Sequence, residues 1–204
     1  MINKQLAIIL VTIITMLISL QVVTSAPASL EDLINNADPY STIYIEPGTY
    51  IIDKSLVIDK PLIIRGSGIN DTIITTSNRG AFLPDDNPAF IWIKGTNDVE
   101  ISDIWFKGPA ISNEDIMNGS QEIHGGQGNQ AAIKLGVAAN HDVKIHDCKF
   151  SLLFGDAIAS GTAEDYNIEI YNNTIDTAGH EKSVAPESIF FSTTRSLFPT
   201  VTLI

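Results

Sequence analysis

Between Ala132 and Ile175 apolar side chains alternate with polar ones in short runs broken by Gly, Asn or Asp. The segment Ala132-Ile133-Lys134-Leu135-Gly136, with Val143-Lys144-Ile145-His146-Asp147-Cys148-Lys149-Phe150 after it, returns as Ala157-Ile158-Ala159-Ser160-Gly161 and Ile168-Glu169-Ile170-Tyr171-Asn172-Asn173-Thr174-Ile175. Every matched position lies 25 residues on. An upstream copy aligns Val99, Ile101, Asp103, Ile104 and Phe106 with Val143, Ile145, Asp147, Cys148 and Phe150. Alternation at period two marks strands with one buried face. Strands this short cannot bury a face alone, so the repeat is satisfied by winding, each turn stacking its strands on the turn below. The expected fold is all-β, a parallel β-helix.

In that winding Ile133, Val143, Ile145, Phe150, Ile158, Ile168, Ile170 and Ile175 point inward, in aliphatic columns about 4.8 Å apart. Asp103, Asp147 and Asn172 sit where the chain bends between strands, and such side chains tolerate left-handed backbone angles, so they read as a turn ladder. Near the start, Ser29 and Asp32 form a capping box ahead of Leu30, Leu33, Ile34 and Ala37 on one helical face. A short helix there, stopped by Pro39, covers the open end of the first coil.

The first segment is an address. Lys4 precedes an apolar run from Leu6 to Val23, and small residues follow at Thr24-Ser25-Ala26-Pro27-Ala28, which predicts a signal peptide over 1–28. The weighed alternative is a retained anchor of the same residues. Both readings put the rest of the chain outside the cytoplasm. The 24 acidic and 12 basic residues, net −12, argue against nucleic acid as a partner. One cysteine, Cys148, rules out an internal disulfide framework and is expected to be a buried small hydrophobe.

The stretch Ile43-Tyr44-Ile45-Glu46-Pro47-Gly48-Thr49-Tyr50, with Leu62-Ile63-Ile64-Arg65-Gly66-Ser67-Gly68, resembles the opening of right-handed parallel β-helix proteins of the pectate-lyase-like superfamily. The similarity runs from about Leu30 to His180. It implies a polysaccharide or glycan partner and, where catalysis exists, lyase, hydrolase or epimerase chemistry; calcium is the one cofactor it allows. Asp147-Cys148, Gly155-Asp156-Ala157-Ile158 and Gly179-His180 are similar to part of a polygalacturonase-type pattern. One acidic residue stands where that pattern has two, and its basic clamp is missing.

Twenty-four residues separate Phe106 from Ala131, against six between Phe150 and Ala157. The extra loop, over 107–130, carries Glu114, Asp115, Glu122 and His124, and such insertions map to one face, often the binding face. One coil apart, Asp156 and His180 are the expected catalytic pair, with His124, Trp105 and Glu181 against substrate. Trp92 and Trp105 alternate outward, where rings stack on sugars. Arg65, Arg79 and Arg195 are weak candidates for a lyase base, and His146 is expected on a solvated face beside Lys144. Sequons stand at Asn70, Asn118 and Asn172.

The β-helix domain is expected over 29–181. From Lys182 the repeat vanishes, and 182–204 reads as an irregular tail, as if truncated or shifted in frame. Two functions follow: a secreted polysaccharide-binding β-helix with residual or intact catalysis, or a non-catalytic envelope or adhesion module. Either is expected to be a monomer or part of a longer β-helix chain.

Overall fold

The computed structural model describes residues 28–77, 89–110, 131–136, 138–160, 165–176 and 178–180, with Ser112, Glu114 and the strand segments 183–185, 189–191 and 201–203. The signal segment and most of the long loop lie outside them. The described chain is mostly β, with one helix, α1 (Leu30–Asn36).

Sixteen of the described strands fall into three parallel sheets, and two more form a separate antiparallel pair. Sheet A holds β1 (Ser41–Tyr44), β4 (Leu62–Arg65), β7 (Asn97–Ser102), β10 (His141–His146), β13 (Tyr166–Tyr171) and β18 (Val201–Leu203). Sheet B holds β2 (Gly48–Ile51), β5 (Thr72–Thr75), β8 (Trp105–Lys107), β11 (Lys149–Ser151) and β14 (Thr174–Ile175). Sheet C holds β3 (Leu56–Ile58), β6 (Ala89–Ile93), β9 (Ala131–Leu135), β12 (Ile158–Ser160) and β17 (Ile189–Phe191). The chain therefore visits A, B and C in turn, and each circuit adds one strand to each sheet.

Register follows the sequence repeat. Val99, Val143 and Ile168 pair across sheet A, Phe106 and Phe150 across sheet B, and Ile133 and Ile158 across sheet C. The expected inward residues are buried, with Ile175 partly so. Parallel pairing at this register aligns like side chains, so Phe106 and Phe150 stack with ring centroids 5.3 Å apart.

Asp103, Asp147 and Asn172 have φ of 61°, 51° and 53°, the left-handed angles that the turn ladder requires. A second ladder escaped sequence reading: Asp98, Asp142 and Asn167 take φ of 51°, 54° and 54° inside β7, β10 and β13. The N-terminal expectation also holds. Ser29 Oγ accepts from the Asp32 amide at 3.1 Å, the Asp32 carboxylate accepts from the Ser29 amide at 3.3 Å, and Leu30 and Ile34 are buried. Leu33, expected on the same face, remains 36% exposed. Cys148 is buried, and loss of water around the thiolate pushes its pKa up to about 12.

Ahead of sheet A a buried polar column ties three circuits. Asn140 Oδ1 accepts from the Gly95 and Thr96 amides at 2.8 and 3.2 Å. The Asn140 amide and Nδ2 both donate to Asp165 Oδ1, at 2.8 and 3.0 Å, and Ser160 Oγ donates to Asp165 Oδ2 at 2.6 Å. Replacing Asn140 with alanine takes the acceptor from the Gly95 and Thr96 amides, the latter buried, and one of two donors from Asp165 Oδ1. The expected loss is about 2–3 kcal/mol, read from the urea midpoint.

The 25-residue spacing last holds at Ala178. Ala178 bridges Leu153 in parallel, then β15 (Ala178–His180) and β16 (Ser183–Ala185) form an antiparallel hairpin before β17 pairs with β12 and β18 with β13. The stretch 182–204, which reads as irregular in sequence, thus contributes strands to sheets A and C. Its partners are displaced because Ile158 now pairs with Ile189 rather than with a residue 25 positions on.

Candidate functional site

The outer face of sheet C combines buried chemistry with unsatisfied bonding. Alternation in β6 and β9 sends Ile91, Ile93, Ile133 and Leu135 inward and leaves Trp92 and Lys134 facing out, next to each other in register. Val57 and Ala159 continue that row on either side. Trp92 carries the Lys94 ammonium 5.0 Å from its ring centroid. Its Nε1 hydrogen is buried and has no acceptor among the described residues. An indole N–H in that state retains its full desolvation cost, which a ligand oxygen would recover. A Cβ built on Gly136 would lie 3.7 Å from Trp92 Nε1 and 3.8 Å from Lys134 Cε, so the missing side chain leaves a methyl-sized recess between the two groups.

Lys134 is half-buried, and loss of water lowers its ammonium pKa below the ordinary lysine value; the Asp156 carboxylate opposes that shift. A lysine so displaced holds a larger share of free amine near neutral pH, the form that takes a proton. Asp156 is 3% exposed, and its carbonyl accepts from the Ala132 amide at 3.0 Å, which fixes the start of β12 against β9. Sequence reading singled out Asp156 and weighed Trp92, but passed over Lys134. The signal was present: Lys134 is the outward member of its strand and neighbours outward Trp92, whereas the equivalent position one repeat on is Ala159.

The other expected site residues divide. Trp105 lies on sheet B, not on the sheet C face, and its Nε1 donates to Ser151 Oγ at 2.8 Å. The His180 backbone belongs to the β15–β16 hairpin, opposite Ser183, and its side chain lies outside the described residues. His124 and Glu181 also lie outside them.

On sheet A, His146 departs from the solvated role expected of it. Its side chain is 13% exposed, stacks on Tyr171 at 4.7 Å, and lies 2.7 Å from Asp147 and 3.5 Å from Glu100. The reason is register: Tyr171 is its partner in β13, so the next circuit covers the imidazole. Arg65 pairs with the same Glu100, which makes it structural rather than a lyase base. A shallow groove of about 340 Å³ crosses this face, lined by Glu100, Asp142, Lys144, Asn167 and Glu169. Lys144 pairs with Glu169 at 3.5 Å across it, and Asn167 Nδ2 donates to the Asp142 carboxylate. Arg79 and Arg195 lie outside the described residues.

Calcium requires several oxygen ligands converging on one point. Among the described residues no group of three or more acidic, histidine or cysteine side chains is so arranged, and no step is assigned to the ion. No protein-family model matches the chain, and no characterised protein or solved structure matches it significantly.

Proposed function

We propose that the chain is a secreted right-handed parallel β-helix protein of the pectate-lyase-like type that binds polysaccharide on the outer face of sheet C and abstracts a proton there. The observation that carries this reading is the adjacency of half-buried Lys134 and the acceptor-less Nε1 of Trp92, with buried Asp156 charge-coupled to the lysine. The circuit of three parallel sheets supports the winding.

Hydrolysis by the two-carboxylate route needs an acid and a base flanking the sugar bond. The described part of this face supplies one carboxylate, Asp156, and the amines of Lys134 and Lys94, which suits proton removal instead. The substrate class is a uronate polymer, whose ring C–H beside the carboxyl group becomes acidic enough for an amine to remove once donors or positive charge offset the carboxylate. Lys134 in its neutral amine form takes that proton and becomes ammonium. In elimination the electron pair forms a ring double bond and expels the glycosidic oxygen, which leaves as a hydroxyl after taking a proton from water. In epimerisation a proton returns from the other side. Trp92 Nε1, which has no acceptor among the described residues, donates to the substrate carboxylate.

The test is product release from a panel of polyuronates and neutral polysaccharides, by ultraviolet absorbance of the unsaturated end and by change in sugar configuration. Activity is expected to rise with pH as Lys134 loses its proton. Lys134→Met is expected to reduce it at least about 100-fold. In Asp156→Asn the carboxylate that raises the Lys134 pKa is gone, so the rising limb moves to lower pH. A Lys134→Met protein as active as its parent overturns the assignment, and inactivity on every polymer favours the adhesion module.

A further inference from the structure

A second cluster occupies the outer face of sheet B. Trp105 in β8 is in register with Lys149 in β11, and Lys107 follows two residues on along the same strand. The Lys149 ammonium lies 4.5 Å from the Trp105 ring centroid and that of Lys107 lies 5.4 Å from it. The ring itself is held by its bond to Ser151, a buried residue. All three side chains are partly exposed.

The company these lysines keep is unusual for a chain with twice as many acids as bases. Lys54 lies against Glu31 and Lys144 against Glu169, Lys60 donates to the Asn35 carbonyl, and Lys134 feels Asp156. For Lys107 and Lys149, as for Lys94, the contact found is one indole, and no carboxylate of the described residues lies within ion-pair distance of Lys107 or Lys149. The negative face of the ring holds a cation but leaves its charge uncompensated. Two ammoniums set about one ring leave positive charge on this face that an anion meeting either or both of them would offset. Because the ring already restricts both flexible stems, the anion meets donors whose ordering cost is partly met beforehand.

We propose that Trp105, Lys107 and Lys149 form an anion clamp that docks one carboxylate of a polyuronate chain, on a different sheet from the Lys134 face. The clamp rests on the preceding reading only for the choice of polymer. It makes no covalent change in its ligand; it retains a long chain near the protein while another stretch of it reaches sheet C.

The test is titration calorimetry of the full processed chain with a polygalacturonate oligomer at low salt, beside its methyl-esterified form and a sulfated glycan. Lys107→Ala/Lys149→Ala is expected to weaken polygalacturonate binding about tenfold or more. Lys107→Arg/Lys149→Arg is expected to retain binding, and melting curves establish that both variants are folded. The methyl-esterified oligomer, with its charge removed, is expected to bind the parent as weakly as the alanine variant binds the acid form. Equal binding by parent and alanine variant overturns the clamp, as does a parent that binds no polyanion. A preference for the sulfated glycan, lost in the same variant, overturns the carboxylate assignment. Lys134→Met separates the two readings. Its binding is expected to be reduced less than tenfold and to remain sensitive to the clamp substitutions, so loss of product release with clamp binding intact faults the sheet C chemistry alone.

Discussion

Replacing Phe150 with alanine is expected to lower the unfolding free energy by about 3–5 kcal/mol. Phe150 is fully buried, stacked on Phe106 from the circuit before and paired with Ile175 from the circuit after. Its removal takes away the transfer free energy of a ring and leaves a void whose walls are strands locked by backbone hydrogen bonds. Those strands cannot close the gap, because moving one breaks its register with both neighbours. Chemical denaturation with an unchanged slope would report the loss as a lower midpoint. A cost under about 1.5 kcal/mol would show that the column repacks and that adjacent circuits are loosely joined.

Gly108→Ala is expected to be as damaging, at about 3 kcal/mol or more, although it adds a single methyl group. The Gly108 amide donates to the Ser151 carbonyl at 2.8 Å, bringing two circuits into backbone contact just after β8. A Cβ there would stand 2.0 Å from the Leu152 carbonyl oxygen and 2.7 Å from the Leu153 Cα. Neither atom belongs to a side chain that can swing away. Gly66 is the matching position one sheet earlier, where a Cβ would meet the Asp103 carbonyl oxygen at 2.1 Å. By contrast a Cβ on Gly48 lies no closer than 3.5 Å to anything, so Gly48→Ala serves as the comparison with little expected change from steric cause. Melting temperatures of the three variants measure the effect, and a Gly108→Ala protein as stable as its Gly48→Ala counterpart would contradict the close approach.

The parts of this fold that were legible in sequence are those with an unbroken 25-residue repeat. Ile133 with Ile158, and Val143 with Ile168, could be paired on paper because the same residue types recur at the same step, and the structure pairs them. Asp103, Asp147 and Asn172 were legible as bends for the chemical reason that few other side chains accept φ near +55°. Asp98, Asp142 and Asn167 carried the same signal but stand inside strands, where alternation masks a local reversal of the backbone. The hairpin and the strands after it were hidden because a length change between Ile158 and Ile189 removes the periodicity while leaving the pairing intact.

The candidate chemistry was less legible than the frame. Asp156 is conspicuous beside Gly155, but the burial that displaces the Lys134 pKa is a property of three dimensions. So is the orphaned hydrogen on Trp92, which no spacing reveals. His146 erred in the other direction: a histidine between lysine and aspartate looks solvated until the tyrosine of the next strand is laid over it.

The two left-handed kinks per circuit have a bearing on how such a chain lengthens. Since β7, β10 and β13 reverse at equivalent points, both before and after the strand core, one circuit presents to its successor the same surface it receives from its predecessor. A tandem duplication of the coding segment for residues 141–165 would therefore splice in a further storey without disturbing the joints above and below. Growth by whole storeys conserves every contact along the axis, whereas gaining or losing one residue inside a strand turns the rest of that strand to the wrong face.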